Sequence, residues 1–221
     1  CRKVVVMMAK IDTSGWREFR IGDLFEIEPT KGVNTYGICD DGDVPYIAAS
    51  RENNGCSRHV SCPDEWVSRG NCLVFIHIGD AAAGVCHYVN ADFVGMKGKT
   101  SCAYNDHINE AIGLFLASVI TANNASRYSF SQSWTGKSLL DTEILLPATP
   151  SGDPDWDYMD EYMSGVMEEA KASLENMGKV EKELHSADIS GWKRFTIGSL
   201  FEIEKGTRLT RAAMIDGDTP F

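Results

Sequence analysis

Apolar positions along this chain follow two periods, and the changeover between them divides it. From residue 16 the period is near two. Phe19, Ile21 and Ile27 alternate with polar neighbours, predicting a short strand, a turn of helix over Ile21-Gly22-Asp23-Leu24-Phe25, and a strand from Glu26. Asp40-Asp41-Gly42-Asp43 reads as a turn. Residues 44–50 read as a strand that starts near Pro45, which suits an edge or a strand start. Arg51 to Gly55 is a polar loop. Residues 72–78 are almost wholly apolar and predict a strand buried on both faces. A small-residue loop spans Gly79 to Gly84, a strand follows at 85–89, and further strand pieces fall at 92–94 and 102–104. The period then lengthens. Ile108, Ile112, Phe115, Leu116, Val119 and Ile120 recur at helical spacing, with Asp106 placed to cap the start and Asn123-Asn124 to stop the helix. Residues 128–134 are polar and aromatic, with Tyr128, Phe130 and Trp134 spaced as in a strand that buries them. Thr142 to Pro147 reads as a last strand. The first module is therefore expected to be α+β, mostly β with one or two helices.

A second kind of pattern begins after Pro150-Ser151-Gly152-Asp153-Pro154. Asp153 suits an N-cap and Pro154 the first helical position, with acidic residues crowding the first turn. Met159, Met163, Val166, Ala170, Ser173, Met177, Val180 and Leu184 then step alternately by four and three, which is a heptad seam. Such a helix, about 32 residues long, would extend ~48 Å. Gly165 and Gly178 weaken it, so a partner helix is expected.

Beyond the seam the chain repeats itself. Gly15, Trp16, Phe19, Ile21, Gly22, Leu24 and Phe25 recur at an offset of 176 as Gly191, Trp192, Phe195, Ile197, Gly198, Leu200 and Phe201. Asp41-Gly42-Asp43 with Pro45 recurs at offset 175 as Asp216-Gly217-Asp218 with Pro220. A duplicated module is the reading that this demands. The expected organisation is a first module over 12–150, a spacer helix over 153–187, and the opening of a second module over 188–221. A longer natural protein is expected, because the second copy breaks off at Phe221 and the first residue is not Met.

Charge sharpens this division. Residues 1–150 carry 13 basic and 17 acidic side chains, residues 151–187 carry 3 and 10, and residues 188–221 carry 5 of each. Most of the net −11 therefore sits in the spacer, and no general basic surface invites unspecific nucleic-acid binding. No apolar run approaches the ~20 residues of a membrane span. The 7 cysteines, odd in number and widely spread, suit reduced thiols in a cytoplasm. Cys56, His59 and Cys62, with Cys72 and His77 beyond, lack the paired Cys-x-x-Cys ligands of structural zinc, so no metal is expected. Thr135-Gly136-Lys137-Ser138 resembles the end of a phosphate-binding loop, but Ser131 stands where its first glycine belongs. No catalytic motif and no cofactor are expected.

The motifs in their order resemble the specificity (S) subunit of Type I restriction-modification systems. They are Gly15-Trp16 with Phe19, Ile21-Gly22 and Leu24-Phe25-Glu26-Ile27; Val44-Pro45-Tyr46-Ile47-Ala48-Ala49-Ser50 followed by Asn53-Asn54-Gly55; Arg127-Tyr128-Ser129-Phe130; Ile144-Leu145-Leu146-Pro147; and Pro154-Asp155-Trp156 with Tyr158-Met159 and Tyr162. The resemblance covers essentially the whole chain: a target-recognition domain, a long coiled-coil spacer helix, and the start of a second domain. It implies a non-catalytic subunit whose two domains each read one half of a bipartite site on double-stranded DNA. It also implies spacer helices that set the half-site separation and dock methyltransferase (M) subunits, and through them an endonuclease (R) subunit. Packing would then fall to Met159, Met163, Val166, Ala170, Met177, Val180 and Leu184. Two other readings stay open: the recognition half of a fused restriction-modification enzyme, and a coiled-coil module with a partner other than DNA. A zinc enzyme is a more distant third.

Base reading in the major groove needs amide and guanidinium groups on exposed loops, with cations and hydroxyls on phosphates. Three stretches offer them. The first is Ser50, Arg51, Asn53 and Asn54, which is equally an ordinary Asn-Asn-Gly turn. The second is Lys97, Lys99 and Thr100, the tight basic patch of the module. The third is Arg127, Tyr128, Ser129 and Gln132, with Lys137, where aromatic residues interleaved with Arg, Gln and Ser suit a DNA face and equally, by their alternation, a core strand. The doubled Gly-Trp stretch is expected to be scaffold, since both copies keep it.

Overall fold

Strand β1 (Trp16–Arg20), the helical turn α1 (Ile21–Leu24) and β2 (Glu26–Pro29) follow the predicted order. They belong to a computed structural model that describes residues 11–32, 38–79, 82–125, 127–128, 132–178 and 190–202. The chain divides into two units, Cys1–Lys179 and Val180–Phe221. In the first unit there follow β3 (Cys39–Ile47), β4 (Cys56–Ser61), β5 (Cys72–Ile76), β6 (Cys86–Val89), β7 (Val94–Gly95), β8 (Thr100–Tyr104), α2 (Glu110–Asn124), α3 (Lys137–Leu140), β9 (Glu143–Pro147) and α4 (Trp156–Gly178).

Three sheets result. β2-β8-β5-β6 is antiparallel throughout, β4-β3-β7 combines an antiparallel with a parallel pair, and β1 pairs antiparallel with β9. The apolar run 72–76 is the inner strand β5, and all five of its residues are buried. Its two faces meet different layers. Leu73 and Phe75 join Ile112, Phe115, Leu116 and Ile120 of α2 in the main core. Cys72 and Val74 join Ile47, Phe93 and Cys102 on the other side. Continuous apolarity here comes from an antiparallel strand covered on both faces. α2 lies close to β6: Gly113 meets the Tyr88 ring at a distance where no Cβ would fit.

Three readings of the sequence need correcting, and one stretch it left unassigned, 56–61, gains an element. Asp41-Gly42-Asp43 lies inside β3, where the pairing with β4 slips between Cys39 and Val44 and Gly42 meets the Val60 backbone too closely for a Cβ. Residues 56–61 form a strand, and the polar loop before it is a tight turn with positive φ at Asn53, Asn54 and Gly55. The cap of α2 is Asn109, whose side chain accepts from the Ile112 amide at 2.9 Å. The spacer helix begins at Trp156, with Asp155 accepting from the Tyr158 amide at 3.0 Å. Residues 148–155 form a loop closed by the Ala148–Pro154 bridge and by the Asp155 amide on the carbonyl of Pro147 at the end of β9, so the helix cannot start at Pro154.

α4 docks on its own module at its start. Met159 is fully buried in the main core, and Tyr162 and Met163 pack against it. Trp156 stacks on His107 with ring centroids 4.9 Å apart, Tyr162 meets Phe115 edge-on, and Asn109 donates to Asp160 at 2.6 Å. Val166 is half-buried, whereas Ala170 and Leu174 are exposed. Met177 lies at the end of α4, and Val180 and Leu184 fall outside the described residues.

In the second unit, residues 190–202 contain α5 (Ile197–Leu200). Thr196 (φ −82°, ψ 144°) and Phe201 (φ −135°, ψ 140°) bracket α5 much as Arg20 (φ −80°, ψ 135°) and Phe25 (φ −131°, ψ 142°) bracket α1. The duplicated sequence thus makes the same turn twice.

Candidate nucleic-acid interface

The three loops singled out by sequence are tied to one another at one edge of the module. β3 ends at Ile47, and its carbonyl accepts from the Met96 amide at 3.1 Å, which fixes the turn holding Lys97 and Lys99. Gly98, at the centre of that turn, has φ +73°, a conformation that favours glycine. The Lys99 carbonyl accepts from the His77 amide at 2.8 Å, one residue past β5. The His77 carbonyl in turn accepts from the Trp134 amide at 3.0 Å, tying the third stretch to the same strand end. Arg51 reaches the C-terminus of α2, donating to the Ala125 carbonyl at 3.2 Å, and Ala49 packs with Ile76, Ala82, Val85 and Ala125 beneath it.

Individual candidates separate under this geometry. Asn53 is exposed, while Asn54 turns its amide inward, donating to the Tyr88 carbonyl at 2.5 Å; its side chain holds the turn in place. Ser50 is half-buried, and its carbonyl accepts from His87 Nε2 at 2.8 Å. Lys97 and Lys99 are exposed. Thr100 is only 2% exposed, and its hydroxyl donates to the Met96 carbonyl at 3.1 Å beside Thr30, so it is a core residue and offers no surface to a phosphate. Arg127 and Gln132 are exposed and line one groove with the half-buried Tyr128. Lys137 is exposed in α3, within 3.9 Å of Asp141, an exposed pair of little energetic weight. Ser129 lies outside the described residues.

Trp134 settles how the aromatic stretch is used. It is fully buried, flanked by Phe75 at 5.1 Å and Tyr128 at 5.4 Å between ring centroids. Its indole N–H donates to the Thr142 hydroxyl at 2.9 Å. Trp134 is thus a core residue with the half-buried Tyr128 packed on it, while Arg127 and Gln132 are exposed; Phe130 lies outside the described residues.

The apolar run that holds His77 reads as the setting of a satisfied core histidine, and the structure bears this out; nothing in the sequence gave His87 a role. Burial pushes both imidazoles below their ordinary value, opposed by hydrogen bonds to the Trp134 and Ser50 carbonyls respectively. Both rings are therefore neutral near pH 7 and act as structural donors.

The cysteine–histidine cluster does not assemble. Cys56 and His59 stand three apart on β4 and so project from opposite faces, and Cys72 is fully buried in the core. Among the described residues there is no group of three or more His, Cys, Asp or Glu placed to hold a metal, and no helix long and apolar enough to cross a membrane.

An α+β module with amide and guanidinium side chains grouped on loops at one edge, joined to a long helix, is the architecture of this fold and site. The chain belongs to the Type I restriction modification DNA specificity domain family, which matches residues 13–176. It is 27% identical over 205 residues to the Type II restriction enzyme BgcI specificity subunit S.BcgI of Heyndrickxia coagulans, covering 92% of this chain and 59% of that protein. The chain thus spans about three fifths of the length of this relative. A structure described as the structural basis underlying complex assembly and conformational transition of the type I R-M system shares the fold, with a TM-score of 0.52 at 14% identity over 78% of this chain and 43% of the other. The HsdS subunit from Thermoanaerobacter tengcongensis aligns over 76% of this chain and 40% of its own, with a TM-score of 0.49 at 14% identity.

Proposed function

We propose that this chain is the recognition part of a restriction-modification specificity subunit that performs no chemistry itself. Residues 12–150 are a target-recognition domain reading one half of a bipartite double-stranded DNA site, 153–187 are the spacer, and 188–221 open the second domain. The observation that carries this reading is the family match over 13–176 followed by the repeat of residues 12–28 at 188–204. Two copies of one module on a rigid helix form a ruler, and the helix length sets the half-site separation.

Arg51, Asn53, Arg127 and Gln132 are the side chains offered for base edges, and Lys97, Lys99 and Lys137 those for phosphates. Methyltransferase subunits dock on the exposed turns of α4 and beyond, supply the catalysis, and add phosphate contacts that a module of net charge −4 lacks. An endonuclease subunit, where one exists, joins through them in the cytoplasm.

The test is methylome sequencing with the full-length subunit and its methyltransferase partner. Exchanging the loops 50–54, 97–99 and 127–137 for those of another specificity subunit should change one half-site and spare the other. An unchanged bipartite pattern refutes the base-reading assignment. Docking is tested by Leu174→Glu together with Ala170→Arg on the exposed face of α4, because deleting the whole helix would also unpack Met159 from the core. Undiminished co-purification of the methyltransferase subunit with this variant refutes docking on that face.

A further inference from the structure

His77 joins two of the proposed DNA-contacting loops through its amide, its carbonyl and ring Nδ1, while Nε2 is anchored on β8. Its amide donates to the Lys99 carbonyl at 2.8 Å, and its carbonyl accepts from the Trp134 amide at 3.0 Å. Its ring Nδ1 lies 2.6 Å from the Trp134 carbonyl, which can only accept, so Nδ1 carries the proton. Nε2, 2.6 Å from the Ser101 hydroxyl, is then the acceptor, and Ser101 donates. The Trp134 main chain is thus held at both its N–H and its C=O by one residue. The Trp134 ring packs against Tyr128, whose neighbour is Arg127, and Gln132 lies two residues before it. The Lys97–Lys99 turn, closed by the Lys99 amide on the Met96 carbonyl at 3.0 Å, hangs from the other side of the same residue.

We propose that His77 is a positioning residue for DNA recognition, fixing the Lys97–Lys99 turn and the segment from Gln132 to Lys137 around Trp134 in one mutual register. This rests on the reading of those loops as the DNA face. The physical reason is pre-organisation. A phosphate contact and a base contact on separate loops act together only when their separation is set before binding, since each loop otherwise loses freedom on association. A leucine of similar bulk would fill the space but leave the Trp134 carbonyl and the Ser101 hydroxyl without partners.

The experiment uses the full-length subunit assembled with its methyltransferase subunits. Methylation is measured on the cognate site and on sites with one base pair substituted in either half. His77→Leu should lose most of the discrimination at the half-site read by this domain, about tenfold from a single base contact, and keep it at the other half-site. His77→Asn, which retains a donor toward the Trp134 carbonyl, should retain more, and Ser101→Ala should fall between. Ile120→Val, a buried substitution in the same core that leaves every hydrogen bond of His77 intact, serves as the stability control and should leave both half-sites discriminated. The inference is overturned if His77→Leu discriminates as the wild type does, or loses both half-sites alike. It also fails if Asn rescues nothing, or if Ile120→Val reproduces the Leu pattern. A wild-type complex indifferent to substitutions in this half-site would instead remove the reading on which the inference rests, and the inference with it.

Discussion

Replacing Trp134 by alanine gives the sharpest test of how the third loop is held. The side chain is fully buried between Phe75 and Tyr128, and its indole N–H is bonded to Thr142. Removing a buried tryptophan ring costs about 3–5 kcal/mol. Two aromatic partners and a lost hydrogen bond of about 1 kcal/mol place Trp134→Ala toward the upper end of that range. Against a total stability of about 5–15 kcal/mol the loss is large, and at roughly 2–4 °C per kcal/mol it lowers Tm by about 10–20 °C. Trp134→Phe keeps a ring between the same two neighbours and loses the hydrogen bond. The Thr142 hydroxyl still donates to the Ser138 carbonyl at 2.6 Å, so the cost should be only about 1–2 kcal/mol. Urea unfolding of the wild type, both variants, Thr142→Val and the Trp134→Phe/Thr142→Val double variant completes the comparison. The cycle should return a coupling of about 1 kcal/mol between Trp134 and Thr142. A cost below about 1.5 kcal/mol for Trp134→Ala, or equal costs for the Phe and Ala variants, would refute the packing argument.

Three other outcomes are expected. Lys97→Ala and Lys99→Ala in the assembled complex should each flatten the slope of log affinity against log salt by about 0.9 if each lysine neutralises a phosphate; an unchanged slope removes the residue from the phosphate set. Asn53 has φ +48°, so Asn53→Gly should hold or slightly raise thermal stability while reducing base discrimination, and Asn53→Val should lower Tm; equal discrimination in the glycine variant would make Asn53 a turn residue only. His77 and His87 are held neutral with pKa values below the ordinary ~6.5, so the unfolded chain binds more protons between the lowered values and that pH. Stability should then be flat above pH 6.5 on their account and fall as the pH drops below it, and denaturant titrations from pH 7.5 to 5 should show a shallower fall in the His77→Gln/His87→Gln double variant.

Element order and type were largely legible because period and turn chemistry are local. The run 72–76 announced a buried strand, and the 108–120 spacing announced α2. What escaped was decided by partners distant in sequence. Asp41 to Asp43 looked like a turn, but pairing with β4 draws them into a strand. Thr100 looked like part of a basic surface patch, but β8 runs through the middle of a sheet and turns its side chain toward Thr30. Asp153 and Asp106 are acceptable caps by composition, and only the Ala148–Pro154 bridge and the Asn109–Ile112 contact show where the helices start. The candidate loops could be picked out one at a time, but nothing in their spacing revealed that a histidine in an apolar run would join two of them.

The doubled stretch separates what sequence determines from what tertiary structure decides. Both copies make one helical turn between extended residues, with the closing amide bonded back at 3.1 Å from Phe25 to Ile21 and at 3.0 Å from Phe201 to Ile197. That much follows from the residues alone, because the interactions are within five positions. Burial does not follow. Ile21 is 0% and Phe25 6% exposed, whereas Ile197 is 68% and Phe201 65% exposed. In the first copy β5, β9 and α2 supply Phe75, Ile144 and Phe115 to cover the apolar side chains. Apolar character is a property of the residue, whereas removal from water is a property of what the rest of the chain brings against it.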